Sequence, residues 1–194
     1  LHDLFPQKFV LHVHPAKVNG LTCSVNGEKI VKEAFADAVW VESTKPGYIL
    51  AMLCKDKLDA YKSAYGKDAS ILFLQNHGIF FAGNTTEELD AMAQGVMATL
   101  AAEVKEQPRL DVMAYDEAKV TEMAKKLAEA YAENAVVKFT VCPEVLSYDP
   151  ATKSLSPDHI VYCKAKQLIL PADPDGDCIR DAFNRFVAEN GYKP

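Results

Sequence analysis

The sequence predicts a mixed α/β fold built in layers. Three observations carry this expectation: short apolar runs with strand-like alternation, intervening segments whose apolar residues recur at helical spacing, and an ordinary globular composition of 49% apolar and 25% charged residues. Nine glycines and ten prolines among 194 residues are too few for a collagen-like or low-complexity chain, so disorder and fibre are excluded. Length allows one large domain or two small ones, with enough chain to bury a core, and residues 1–194 are expected to form a single domain. The chain opens at Leu1 without a helix cap or a turn, and it is expected to be a segment of a longer one.

Lys8 to His14 alternate as a strand, with Phe9, Leu11 and Val13 on one face and Val10, His12 and His14 on the other, until Pro15 withdraws a ladder donor. A loop through Asn19-Gly20 follows. Glu28 to Ala36 then read as a short helix and Asp37 to Glu42 as a second strand. Pro46-Gly47 marks a turn. Beyond it, Ile49, Leu53, Leu58 and Tyr61 give approximate helical spacing from Tyr48 to about Ala64, with Gly66 where a left-handed cap would sit. Ser70 to Gln75 and Ile79 to Gly83 are apolar runs too short for separate helices, and Asn76-His77-Gly78 interrupts them, so they predict strand, turn, strand.

Thr85 and Glu88 form a capping box, after which Leu89, Met92, Ala93, Val96 and Leu100 recur at helical spacing. A second amphipathic helix is expected from about Asp116 to Asn134, with Val120, Met123, Leu127 and Tyr131 as its stripe and Lys125 and Lys126 facing water. His159 to Cys163 and Gln167 to Leu170 read as strands, and Asp177 to Glu189 as a closing helix ended by Gly191. Asp173, Asp175 and Asp177 have the spacing that begins an EF-hand, yet no glycine stands at the sixth position and no Glu closes the loop. They are expected to turn the chain and cap that last helix. Phe73, Phe80 and Phe81 belong to short apolar strands and are expected in the core, not on a base-stacking surface.

Lys and Arg number 21 against 27 Asp and Glu, a net charge of −6 that offers no positive field for a polyphosphate backbone and argues against nucleic acid as a partner. No apolar run approaches the ~20 residues of a membrane span, and the first residues lack the pattern of a signal peptide, so no membrane partner is expected. The five cysteines, Cys23, Cys54, Cys142, Cys163 and Cys178, are odd in number, widely spaced and without a Cys-x-x-Cys pair. They read as reduced, mostly buried thiols in a cytoplasmic setting.

His12-x-His14 carries the sharpest chemical signal. Strand alternation puts residues i and i+2 on one face, about 7 Å apart, so two imidazoles can close on one ion from the same side. Zinc takes histidine nitrogen at about 2.0–2.1 Å, and a catalytic zinc keeps three protein ligands and one open position. His77 qualifies as the third ligand, in a tight turn at the end of an apolar strand expected to be central. Gly78 would let backbone pack closely behind the ring, and Asn76 is placed to hold an adjacent group. Each motif alone has a plainer reading, His-x-His as two half-exposed strand residues and Asn-His-Gly as a turn. His2 and His159 have no partner at ligand spacing and read as structural or solvated.

Taken together, His12-Val13-His14-Pro15, the Pro46-Gly47-Tyr48 helix and Asn76-His77-Gly78 leading into Ile79-Phe80-Phe81-Ala82-Gly83 resemble the class II aldolase/adducin family, most strongly from His2 to about Leu100. Within it the chain is similar to the sugar-phosphate aldolases of the fuculose- and rhamnulose-phosphate type. Ser156 to Cys163 resembles the longer members in which the aldolase region is joined to a dehydrogenase. The resemblance implies metal ligands His12, His14 and His77, with Zn2+ or another divalent ion as cofactor. It implies a three-layer α/β/α sandwich around a mixed, largely antiparallel sheet, which the strand–turn–strand at Asn76 supports. The implied activity is a lyase reaction on a small-molecule sugar phosphate: a ketose phosphate is cleaved to dihydroxyacetone phosphate and an aldehyde, the cation stabilising the enediolate as a Lewis acid. A homo-oligomer, commonly a tetramer, is implied too. The family's acid/base glutamate stands four residues before the histidine equivalent to His2, so it and the loops that hold phosphate are expected before Leu1, and no acid/base residue is assigned within the chain. Two alternatives stay open, a sugar-phosphate epimerase or dehydratase using the same histidines, and a non-catalytic adducin-type binding module.

Overall fold

A computed structural model describes residues 1–104, 106–131, 135–152 and 154–194. The chain divides into two compact units, Leu1–Lys105 with Leu155–Val161, and Glu106–Ser154 with Tyr162–Pro194. The first unit is built on four strands, β1 (Phe9–Val13), β2 (Ala38–Val41), β3 (Ile71–Leu74) and β4 (Gly78–Gly83), in the order β1-β4-β3-β2. β4 runs antiparallel to both β1 and β3, and β2 runs parallel to β3, giving a mixed, largely antiparallel sheet.

Helices cover both faces, because the central strands are apolar at successive positions and must be buried on two sides. On one face Val39, Val41, Leu72, Leu74, Phe80 and Ala82 pack with Leu50, Cys54 and Tyr61 of α3 (Tyr48–Tyr65). On the other, Trp40, Phe73, Ile79 and Phe81 pack with Val18 and Leu21 of α1 (Ala16–Thr22), Val31 of α2 (Gly27–Ala34), and Val96 and Leu100 of α4 (Thr86–Glu103). This is the expected α/β/α arrangement, with Phe73, Phe80 and Phe81 in its core.

Local chemistry places the element ends. Gly47 at φ 99° leads into α3, and Gly66 at φ 68° ends it, donating its N–H to the Lys62 carbonyl at 2.8 Å. Thr85 Oγ1 accepts from the Glu88 N–H at 3.2 Å, while Glu88 Oε2 accepts from the Asn84 N–H at 2.6 Å. The return bond of the capping box therefore lands one residue before the cap. The Asn19-Gly20 segment, expected as a loop, is the middle of α1. Extended Pro15 starts that helix, and burial of Val18, Leu21 and Thr22 on one face outweighs the roughly 1 kcal/mol that Gly20 costs.

In the second unit, α5 (Glu117–Tyr131) begins with Asp116 Oδ1 accepting from the N–H groups of Ala118 and Lys119. The end of this helix expected at Asn134 lies outside the described residues. Lys126, expected in water, is half-buried and pairs with Glu122 at 2.9 Å. A short helix, α6 (Pro143–Ser147), comes next. His159 to Cys163, expected as a strand, belong to α7 (Pro157–Cys163), whose first residues lie in the first unit. Ser156 Oγ accepts from the His159 N–H at 3.2 Å and Pro157 opens the helix, so local start signals override the β-propensity of Ile160 and Val161. Gln167 to Leu170, also expected as a strand, is irregular. α8 (Gly176–Asn190) starts as anticipated, with Asp175 Oδ1 accepting from the Cys178 N–H at 2.7 Å, and stops at Gly191 with φ 75°.

All five cysteines are free. Cys54 and Cys142 are buried, Cys23 and Cys178 half-buried and Cys163 exposed, so fewer are buried than composition suggested. Among the described residues no helix is long and apolar enough to cross a membrane.

Replacing Thr85 by Ala removes the acceptor for the Glu88 N–H without opening a core cavity. The expected loss is about 1 kcal/mol, read as a lower urea midpoint at unchanged m-value.

Candidate metal centre

His12 lies in β1, His14 directly after it, and His77 in the turn that opens β4. That turn is closed by the His77 N–H donating to the Leu74 carbonyl at 3.1 Å, with Asn76 at φ 58°, a left-handed position that Asn tolerates. Antiparallel pairing sets Val13 opposite Ile79 and His12 opposite Phe80, so the turn stands beside the end of β1. The ring centroids are 4.6 Å apart for His12 and His14, 5.2 Å for His12 and His77, and 5.0 Å for His14 and His77. One ring nitrogen from each can be chosen so that all three lie within 4.8 Å of one another.

Hydrogen bonding assigns the tautomers of two of these rings. His12 Nδ1 lies 2.9 Å from the Ile79 carbonyl oxygen, which only accepts, so Nδ1 carries the proton and Nε2 a lone pair. His14 Nδ1 lies 2.5 Å from Asp158 Oδ2, so this Nδ1 carries a proton too, and in the neutral ring Nε2 is then the lone pair. The two Nε2 atoms face each other at 2.9 Å. With both rings neutral, two lone pairs at that separation repel unless a metal ion or a proton stands between them. Three imidazoles with this donor chemistry fit a divalent ion of the zinc type.

Burial favours the neutral form of two of the rings, His12 and His77. Burial, the largest influence, lowers the His12 pKa from 6.5 to about 4; the Ile79 hydrogen bond opposes this, and the charges of His14, His77 and His2 add to it. His77 is lowered as well, by burial first and His14 second, with Asp158 pulling the other way. Neutral imidazole is the form that binds metal.

The three predicted ligands are thus brought together. Asn76 holds an adjacent group as expected, its Nδ2 donating to the Leu155 carbonyl at 3.0 Å. Gly78 does make room for an imidazole, but the ring is that of His14 and not of His77: a Cβ at residue 78 would stand 2.3 Å from His14 Cδ2 and 2.7 Å from the Val13 carbonyl oxygen. His2 is outside the cluster, edge-on to Phe80 at 5.4 Å, and Phe80 in turn stacks on His12 at 4.0 Å. His159 Nδ1 accepts from the Leu155 N–H at 3.4 Å and takes no part in the cluster. Asp158 escaped the sequence reading, because a strand from His159 to Cys163 leaves it in a loop with no stated direction. The signal that could have found it is Ser156-Pro157-Asp158, a helix start with an acidic first turn.

Comparison with known proteins adds the following. The family model described as Class II Aldolase and Adducin N-terminal domain matches residues 1–104, more than half of the chain. No curated protein matches. A solved structure of the N-terminal class II aldolase domain of a conserved protein from Thermoplasma acidophilum is similar at 20% identity, over 54% of this chain and 46% of that one, with a TM-score of 0.44. An aldolase II superfamily protein from Pseudomonas syringae is similar at 18% identity, over 65% of this chain and 49% of that one, with a TM-score of 0.34. The matches span slightly less than half the length of those two proteins.

The lowered pKa of His12 has a consequence for the metal-free protein. Between about 4 and 6.5 the unfolded chain holds a proton on this ring and the folded chain does not, so stability rises with pH across that window and falls as the solution is acidified. Thermal melts in chelator from pH 7 to 4.5 should show the decline, and His12→Asn should flatten it.

Proposed function

The chain belongs to the class II aldolase and adducin N-terminal domain family, and on that premise we propose that it holds a divalent cation, zinc foremost, on His12, His14 and His77 for aldol cleavage of a ketose phosphate. The products are dihydroxyacetone phosphate and an aldehyde. The observation that carries this reading is the convergence of three imidazoles, with Nε2 of His12 and Nε2 of His14 facing at 2.9 Å beside His77. An adducin-type module that lacked a cation would gain nothing from that arrangement. Bound to three neutral ligands, the ion would retain its full charge and supply Lewis-acid stabilisation to developing negative charge on substrate oxygen.

The chain's own residues hold the geometry. The Ile79 carbonyl keeps the proton of His12 on Nδ1, and stacking on Phe80 fixes the plane of the ring. Asn76 ties the turn that presents His77 to the Leu155 carbonyl. With a cation held there, neither His12 nor His14 would be free to act as a general base, since each Nδ1 is committed to an acceptor and each Nε2 would face the ion. Proton transfer to and from substrate falls to another group.

Elemental analysis and zinc titration of the purified protein test the metal. One ion per chain is expected in the wild type, and a sharp loss in His77→Ala and in His12→Ala/His14→Ala with circular dichroism unchanged. Stoichiometric metal retained by the double variant overturns the ligand set. Release of dihydroxyacetone phosphate from a panel of ketose phosphates by the whole protein tests the reaction. Metal without that product, but with epimerised or dehydrated sugar phosphate, moves the protein to the related enzymes, and absence of metal in the wild type moves it to the binding modules. Assembly as a homo-oligomer belongs to the same proposal, and light scattering that shows only monomer at high concentration contradicts it.

A further inference from the structure

We propose that Leu155–Val161 is a strap that sets the metal affinity of the three-histidine site, with Asp158 as the positioning residue for His14. The inference rests on the metal reading above and assigns a role that the ligands alone do not contain.

The segment belongs to the first unit although the chain on either side of it belongs to the second. Specific bonds fasten it there. The Leu155 carbonyl accepts from Asn76 Nδ2 at 3.0 Å and from the Cys23 thiol at 3.6 Å, and Asp158 Oδ2 meets His14 Nδ1 at 2.5 Å across 144 residues of sequence. These anchors fall on the turn that carries His77, on the residue that ends α1, and on the end of β1. All three places border the site. The backbone that carries Asp158 is itself held, by Ser156 Oγ accepting from the His159 N–H and the Ser156 carbonyl from the Ile160 N–H, each at 3.2 Å.

The chemistry separates His14 from His12. An imidazole offers a lone pair at Nε2 only when Nδ1 carries the proton, and the partner of Nδ1 decides this. For His12 the partner is the Ile79 carbonyl, a backbone group in the sheet. For His14 the partner among the described residues is a side chain from a remote segment. Sheet formation therefore orients one ligand, and the strap must arrive to orient the other. Asp158 is not itself in the group of candidate ligand atoms. With His14 and Asp158 exposed by 24% and 42%, their pairing adds little to stability on its own, so its effect belongs in metal binding. Linkage makes the effect reciprocal: whatever the docked strap adds to cation affinity, the cation adds to docking of the strap.

The test uses Co2+ titration against a competing chelator, the visible spectrum of the Co2+ complex, and hydrogen exchange of peptides covering 155–161 with and without Zn2+. Asp158→Ala should lower affinity roughly 10–100-fold and perturb the Co2+ spectrum, with little change in the melting temperature of the metal-free protein. Asp158→Asn keeps an oxygen that can accept from Nδ1–H and should lose less. Zn2+ should slow exchange across 155–161 in the wild type and not in Asp158→Ala. Equal Co2+ affinity in wild type, Asn and Ala variants overturns the strap while leaving the metal site standing. A wild type that binds no Co2+ overturns the metal reading, and the strap with it.

Discussion

The register of β1 against β4 is the constraint on which the site depends. Because side chains alternate strictly along a strand, a shift by one residue would turn His12 and His14 to the opposite face of the sheet and bring Leu11 and Val13 in their place. The pairing of His12 with Phe80 and Val13 with Ile79 is held from several directions at once. Val10 packs into the core on the α3 face and Val13 into the core on the other, so the strand is gripped from both sides. Gly78 then leaves room for the His14 ring where any larger residue would expel it. The edge strand and the residue after it carry His12 and His14, but buried β4 decides where they stand.

Most of this was legible in the sequence for a physical reason. Residues whose structure follows from nearby neighbours declared themselves: alternation in β1, the Thr85 and Glu88 box, glycines 66 and 191 as left-handed caps, and the Asn76 turn between two apolar runs. The histidines shared a face by strand geometry alone, before any partner was known. The errors arose where tertiary burial or competing local signals decided the outcome. α1 forms across Asn19-Gly20 because Val18 and Leu21 find the sheet, which no window of sequence contains. In α7 the β-branched pair Ile160-Val161 suggested a strand, and the Ser156-Pro157-Asp158 start outweighed it. That second error had a cost beyond secondary structure, since it concealed the carboxylate that meets His14.

Electrostatics and packing are opposed at this site, and the opposition is informative. Folding half-buries His12 against Phe80 and beside two further imidazoles, which suppresses its protonation and exposes the metal-free protein to acid. It also sets the Nε2 atoms of His12 and His14 facing each other at 2.9 Å. Neither feature helps the fold by itself. Hydrophobic side chains at the same positions would pack without either penalty, as Val10 does against the core on the same face one pleat earlier. Local rules broken in one place, with consistency everywhere around it, mark a site kept for chemistry.

The division of labour between the Nδ1 partners of His12 and His14 carries the argument one step further. A carbonyl within the ladder holds His12, so that ring is oriented as soon as the sheet is formed. Asp158 reaches His14 from a segment flanked on both sides by chain of the other unit, and so the second ligand is oriented only when the polypeptide has returned to the first. Loop closure over so long a separation is entropically costly, though the cost grows only logarithmically with length. A cation that requires both ligands would register whether that closure has occurred. On the proposal made above, the three-histidine site would then act as a thermodynamic link between two parts of the chain that are distant in sequence, with its affinity the quantity through which each reports on the other.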